Sequence, residues 1–405
     1  MVTTLKYGEG SVVALEMGAD TLVAECGLPN AEPIDDPAAA VAAAMLDPID
    51  YPPLSDCLVP SDQIAIALDV GLPQAAALVA GIASALIEAG VDASRIVVVQ
   101  TPEDARQEAD PRAAMPQSIA SRIELITHEP DNRDALRYLG ATADGNPIYI
   151  NRRLADADVV IPLGCFRLDS AVGYHGIHSG ICPTFSDTPT QKRFCSASNE
   201  DRSARRKRRR QEADEAGWLL GVALTVQIVP GEGKSVLHIL AGDVKSVAER
   251  GRELCRAVWD YRLQQRAELV VAGIQGDAAS QTWDNLARAL TAAMNAVADG
   301  GAIAICTELS ARPGRALRWL AESDDYETTM RNVRKERSSD AIAAAQLLRA
   351  LDSNRVYLLS QLDDEVVEQL GVTPIDEVED LVRLSSRSQS CIVLSNAQYA
   401  VPSVE

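Results

Sequence analysis

Short strands that are apolar on both faces govern what this chain can become. In QIAIALDV (63–70), RIVVVQT (95–101) and DVVIPLG (158–164) the central residues are all apolar. Such strands must be covered on both sides, as in a buried parallel sheet. The stretch QAAALVAGIASALIEAGV (74–91) between the first two carries a helical pattern closed by an Ala-Gly C-cap signal. RIELITH (122–128) adds a strand that ends at His128. This alternation predicts the α/β class: a mainly parallel sheet flanked by helices.

The pattern then recurs. After a polar stretch (196–217), WLLGVALTVQIVPGEGKSVLHILAGD (218–243) reads as two strands around a Gly-Glu-Gly turn. A helix follows, then the strand AELVVAGI (267–274), a helix (283–298), GAIAICTEL (301–309), two helices and RVYLLS (355–360). A chain of 405 residues exceeds one small core. Two domains are expected, 1–264 and 265–405, with the last residues packing back on the first domain. At the start, VVALEM and TLVAEC, separated by Gly-Ala-Asp, read as a β-hairpin, and AAAVAAAML (38–46) as a helix.

Aromatics are only 4% of the chain, so its core must rest on Ala, Val, Leu and Ile. The net charge of -20 disfavours nucleic acid and anionic membranes as partners. No CxxC pair occurs among the eight cysteines, which argues against a zinc ribbon and for reduced core thiols. No uncharged apolar run reaches the roughly 20 residues of a membrane span. Nor does the N-terminus read as a signal peptide. The expectation is a cytoplasmic, enzyme-sized protein.

Chemistry-bearing residues crowd into GCFRLDSAVGYHGIHSGICP (164–183), just beyond the strand VVIPLG. Ligands of open α/β sheets bind at such strand ends. His175 and His178 could chelate a metal from one helix face, with Asp169 and Cys182 nearest. The surrounding glycines argue instead for polar loop histidines. Asp69 ends a strand and could contact a ligand or cap the next helix; His128 is equally ambiguous. The run RSARRKRRR (202–210) has seven basic residues in nine, and QEADE behind it can pair with them at helical spacing. That favours an exposed, internally compensated helix over nucleic-acid binding, with a docking patch for an acidic partner as second choice. Phosphate-loop and nucleophile-elbow motifs are absent, and Gly231–Lys234 is a turn.

The order of these pieces resembles the lactate racemase family. The likeness runs through the strand ending at Asp69 with Pro73 behind it, IEAGVDASRIVVV, and DALRYLGATADGNPIYINRRLADADVVIPLG. It continues through LHILAGDVKSVAERGRELCRAV, AELVVAG and LARALTAAMNAVADGGAIAI. The resemblance implies two α/β domains with a ligand cleft between them. It also implies racemisation or epimerisation of 2-hydroxy acids on a nickel-pincer nucleotide.

The family's signatures are altered here. Asp-x-Thr-Arg-Pro, whose arginine helps hold the substrate carboxylate, reads DVGLP, with Leu72 at the arginine position. Gly-Thr-His-Arg, which supplies one catalytic histidine, is replaced by TPEDAR. In the 164–183 stretch Gly164, Gly173, Gly176 and Pro183 keep the scaffold. The second catalytic histidine falls at Asp169, the cofactor lysine at Ser179 and a nickel-ligating histidine near Cys195. The second-domain substrate loop is reduced to AGIQGD, without its lysine.

Hydride-shuttling racemisation needs two imidazoles, a cation for the carboxylate and an amine for the cofactor. Serine cannot form that covalent link. The preferred expectation is therefore a relative that binds a small (hydroxy)acid in the cleft, with the pincer cofactor absent. An active racemase or epimerase with repurposed groups is the alternative. Its catalytic candidates are Asp69, Asp169, His175 and His178, and its metal candidates His175, His178 and Cys195. A third reading is a non-catalytic partner of a related subunit, docking through 202–210; a homo-oligomer also stays open.

Overall fold

The computed structural model describes every residue except 1, 19, 108, 169–175, 198–201, 323–324 and 405. The chain opens with an antiparallel hairpin, β1 (Val2–Tyr7) and β2 (Ser11–Glu16), and β3 (Leu22–Cys26) follows. The expected hairpin of VVALEM with TLVAEC is thereby corrected. VVALEM pairs backwards with β1, across Gly8 and Gly10, and TLVAEC leaves for a distant partner.

The first sheet is built from β4 (Ile64–Leu68), β5 (Ile96–Gln100) and β6 (Glu124–Thr127). A separate two-stranded ribbon, β7 (Leu136–Ala141) with β8 (Pro147–Asn151), interrupts it. The sheet is completed by β9 (Val159–Cys165), β10 (Leu224–Pro230) and β11 (Val236–Asp243). Its order is β11-β10-β9-β4-β5-β6, parallel except for β11 at the edge. The two faces of β4 show how sequence chooses layers. Ile64, Ile66 and Leu68 pack with Leu78, Ile82 and Leu86 of the helix Ala75–Glu88. Ala65 and Ala67 face the opposite layer, with Ile148, Ile150 and Phe185. Each buried Leu or Ile contributes about 1.5–3 kcal/mol over its exposed state.

The chain then crosses through β12 (Asp260–Leu263) into β13 (Ala267–Gly273), β14 (Val297–Cys306), β15 (Arg355–Leu359), β16 (Thr373–Pro374) and β17 (Cys391–Leu394), and ends in β18 (Val401–Val404). The second sheet runs β16-β15-β14-β13-β17-β3 and is parallel throughout. Val270 and Ala272 pack with Leu286 and Leu290 of the helix Trp283–Ala296. On the other face Leu269 and Val271 meet Leu5 and Leu15 of the N-terminal hairpin.

β3 is thus an edge strand of the second sheet and the separate β1–β2 hairpin packs on one of its faces, whereas the sequence places both in the division 1–264 rather than 265–405. The second sheet needs a cover for one face and a strand for one edge, and the N-terminus supplies both. Gly27 makes the exit from β3 possible: its φ is +79°, and a Cβ there would lie 1.5 Å from the Ser395 carbonyl oxygen. At the other end β18 pairs in parallel with β12, and Tyr399 packs on Trp259 with ring centroids 5.4 Å apart.

The Gly231–Lys234 turn of the first domain reaches the second. Lys234 Nζ lies 3.1 Å from Asp277 and 3.2 Å from Glu9, and the Gly233 N–H donates to Asn396 Oδ1 at 3.1 Å. Among the described residues no helix is long and apolar enough to cross a membrane.

Candidate functional site

The carboxyl ends of β4 and β9 open toward the second domain. The loop after β4 lies against that domain, because a Cβ on Gly71 would sit 3.9 Å from the Ala279 carbonyl oxygen. Asp69 begins this loop. Its N–H donates to the Leu163 carbonyl at 2.9 Å, and its carboxylate accepts the Val70 N–H at 3.0 Å. Burial pushes the Asp69 carboxyl up to about 6, and the neighbouring Asp104 charge adds to this. The Val70 hydrogen bond and the guanidiniums of Arg167 and Arg288 pull the other way. Asp69 does not cap the following helix, whose N-cap is Gln74 without a side-chain hydrogen bond.

The neighbouring loop closes onto this one. Thr101 caps the short helix Pro102–Arg106 by accepting the Asp104 N–H at 3.1 Å, and its hydroxyl donates to Asp104 Oδ2 at 2.6 Å. Asp104 Oδ1 accepts the Gly71 N–H at 3.0 Å. TPEDAR is therefore a clasp between two loops, where the resemblance puts a catalytic histidine. Leu72, at the family's arginine position, is 8% exposed and belongs to the core beneath the sheet.

The loop after β9 ends in a 3-10 turn, Ile177–Gly180, that rests against Asp69; a Cβ on Gly180 would lie 3.8 Å from the Asp69 Cβ. Ser179 is buried, and its hydroxyl donates to the Gly176 carbonyl at 2.6 Å and accepts the Gly176 N–H at 3.1 Å. The side chain where the resemblance puts the cofactor lysine thus bonds within its own turn. His178 Nδ1 lies 2.9 Å from Asp214 Oδ1, and its Nε2 is buried with no hydrogen-bond partner among the described residues. The ring occupies space left by Gly217, where a Cβ would come within 2.3 Å of it. Asp169 and His175 lie outside the described residues.

His128 proves to be a satisfied core histidine. Nε2 lies 2.9 Å from the Ser186 carbonyl and Nδ1 3.2 Å from Asn151 Nδ2, so Nε2 carries the proton and Nδ1 accepts from the amide. Burial holds its pKa below the usual histidine value.

Cys195 is partly buried, and burial pushes its thiol up to about 11. Among the described residues no group of three or more His, Cys, Asp or Glu side chains is placed to hold a metal ion. With Ser179 where the resemblance puts the lysine, the described side chains do not fit a covalently anchored nickel-pincer group.

The basic run forms the N-terminal half of the helix Arg202–Leu219. Arg210 pairs with Asp214 at 3.4 Å, and Arg193 of a neighbouring helix pairs with Glu212. Arg209 is buried and donates to the Ser196 carbonyl at 2.7 Å. A recess of about 550 Å³ follows this helix, lined by Lys207, Arg210, Gln211, Asp214, Glu215 and the exposed Trp218.

Sequence reasoning missed Arg167, Arg288 and Tyr399. The one available signal was Arg288 itself, a lone cation inside the apolar run LARALTAA. It is 7% exposed, and its Nη1 donates to Asn285 Oδ1 at 2.9 Å. The Arg167 guanidinium lies 5.1 Å from the centre of the Tyr399 ring.

Residues 7–204 match the family model described as the lactate racemase N-terminal domain. The lactate racemase of Thermoanaerobacterium thermosaccharolyticum is 20% identical over 287 residues, 68% of this chain and 67% of that protein. The structure of the lactate racemase apoprotein from that organism superposes with a TM-score of 0.81 at 18% identity, covering 99% of this chain and 100% of that one. A crystal structure of a protein from Thermotoga maritima superposes with a TM-score of 0.62 at 13% identity, covering 87% of this chain and 96% of that one. Both likenesses speak to the fold.

Proposed function

Because the chain belongs to the lactate racemase family, we propose that it is a relative that binds a small hydroxy acid or related acid in the interdomain cleft without nickel-pincer racemisation. The observation that carries this reading is the state of the two key positions. Leu72 is sealed into the core, and the Ser179 hydroxyl is committed to Gly176. A buried leucine cannot hold a carboxylate, and a serine hydroxyl whose only proton is committed to Gly176 offers neither an amine for a covalent link nor a free donor for a cofactor. The cell compartment we assign is the cytoplasm.

Intact mass and elemental analysis of the purified full chain test the reading. The expected result is the mass of the chain alone with substoichiometric nickel. One nickel per chain together with a nucleotide-sized mass increment would overturn it.

A second reading, an isomerase with repurposed groups, is favoured by one observation: a carboxylate orients His178 while the far nitrogen stays unspent. It requires turnover of a hydroxy acid that His178→Ala abolishes; a rate unchanged by that substitution sinks it.

A further inference from the structure

The helix Arg202–Leu219 has two unlike sides. Ala213 and Ala216 are fully buried, and Ala216 packs with Ile150 and Phe185 against the first sheet. On the opposite side Ala204, Lys207, Gln211 and Trp218 are exposed and Glu215 is half-buried. Steps of three and four residues put these five on one face. Trp218 is 79% exposed, more than any other large apolar side chain among the described residues. Leu219 beside it is also exposed and reaches β7, where a Cβ on Gly140 would lie 3.2 Å from Leu219 Cδ1. Tyr138, two residues back along β7, is a further exposed apolar group.

Charge along that face is ordered. Lys207 and Arg208 lie in the N-terminal half of the helix, Asp214 and Glu215 in the C-terminal half, and Gln211 stands midway. The Glu215 carboxylate is held in place, accepting from Gln211 Nε2 and from the Ala143 N–H, each at 3.0 Å. Turning the helix end over end about Gln211 exchanges its two halves. Lys207 then comes opposite Glu215, Arg208 opposite Asp214, and Trp218 opposite Ala204, because the members of each pair are equally far from Gln211. The face is therefore complementary to its own copy, which is what a twofold contact demands. A chain of net charge -20 repels its copies at long range, and a basic run is where an acidic copy can approach.

We infer that this helix face is the docking surface for a second copy of the chain, the two helices packed antiparallel about a twofold axis at Gln211. Trp218 of each copy covers Ala204 of the other, whose small side chain leaves room for the ring. Each contact occurs twice, and each indole can bury on the order of 150–250 Å². The flanking ion pairs fix the register of the two helices more than they add affinity.

Sedimentation equilibrium of the full chain at low salt, across micromolar concentrations, tests this. The wild type is expected to dimerise, and Trp218→Ser to raise the dissociation constant about tenfold or more. Lys207→Glu and Glu215→Lys each set like charges opposite one another, so each variant alone is expected to be monomeric. An equimolar mixture of the two is expected to regain the dimer, because both contacts again join opposite charges. Recovery in the mixture also excludes misfolding of either variant as the cause of its monomeric state. A wild type that stays monomeric overturns the proposal; if it then binds polyglutamate, the face belongs to an acidic partner instead. A dimer that Trp218→Ser leaves intact, or charge variants that dimerise no better mixed than alone, overturns it as well.

Discussion

On the first-domain wall of the cleft, polar groups are closed among themselves. Asp104 is shared by Gly71 and Thr101, Ser179 by the two ends of Gly176, and Leu72 is turned into the core. In the second domain, Arg288 is buried in the helix Trp283–Ala296 and donates to Asn285 of its own helix. The comparison teaches that polar groups at strand ends can be closed by local hydrogen bonds while the loops keep their course. Arg167, just beyond β9, lies against the Tyr399 ring from the end of the chain.

The largest expected effect comes from placing a cation in the closed first-domain wall. Leu72→Arg should destabilise the chain by at least about 3 kcal/mol in urea unfolding, because it drives a cation into an apolar layer. A variant as stable as the wild type that also gains acetate affinity would break the comparison.

Asp69 gives the intermediate effect. Its folded-state value of about 6 lies above the ordinary carboxyl value, so the folded chain holds that proton more tightly than the unfolded chain. The stability this contributes is fully present below the unfolded value near pH 4 and is lost as pH rises through 6. Asp69→Asn removes that term, so the variant should gain about 2–2.5 kcal/mol relative to the wild type between pH 4 and pH 8. A constant offset across that range would show that the cleft leaves Asp69 ordinary.

The smallest effect tests the contact between domains away from the cleft. Lys234→Met removes exposed ion pairs to Asp277 and Glu9 and should cost no more than about 1 kcal/mol at low salt, shrinking further in 0.5 M or so sodium chloride. A larger, salt-independent loss would mean that packing of the turn, rather than its ion pairs, holds the domains.

Much of the scaffold was legible in local pattern. Apolar strands such as IAIAL and IVVV announced burial on both faces, and the Ala-Gly after Glu88 announced the helix end. The site was legible only as a place. The strand-end position of 164–183 was readable, whereas the spending of Ser179 on Gly176 and the pairing of His178 with Asp214 were not. His178 and Asp214 lie 36 positions apart, and no spacing rule joins a loop to a covering helix.

By itself the sequence determined the α/β class and the order of elements, because these depend on side-chain type and on neighbours a few residues away. Only the tertiary structure decided that β3 pairs with β17 and that the N-terminal hairpin covers the second sheet. Only it decided that Arg288 is buried beside Asn285 and that Arg167 lies against Tyr399. Most of these outcomes join residues far apart in the chain. Which partner a strand edge or a buried cation finds depends on the one packing that satisfies all such groups at once.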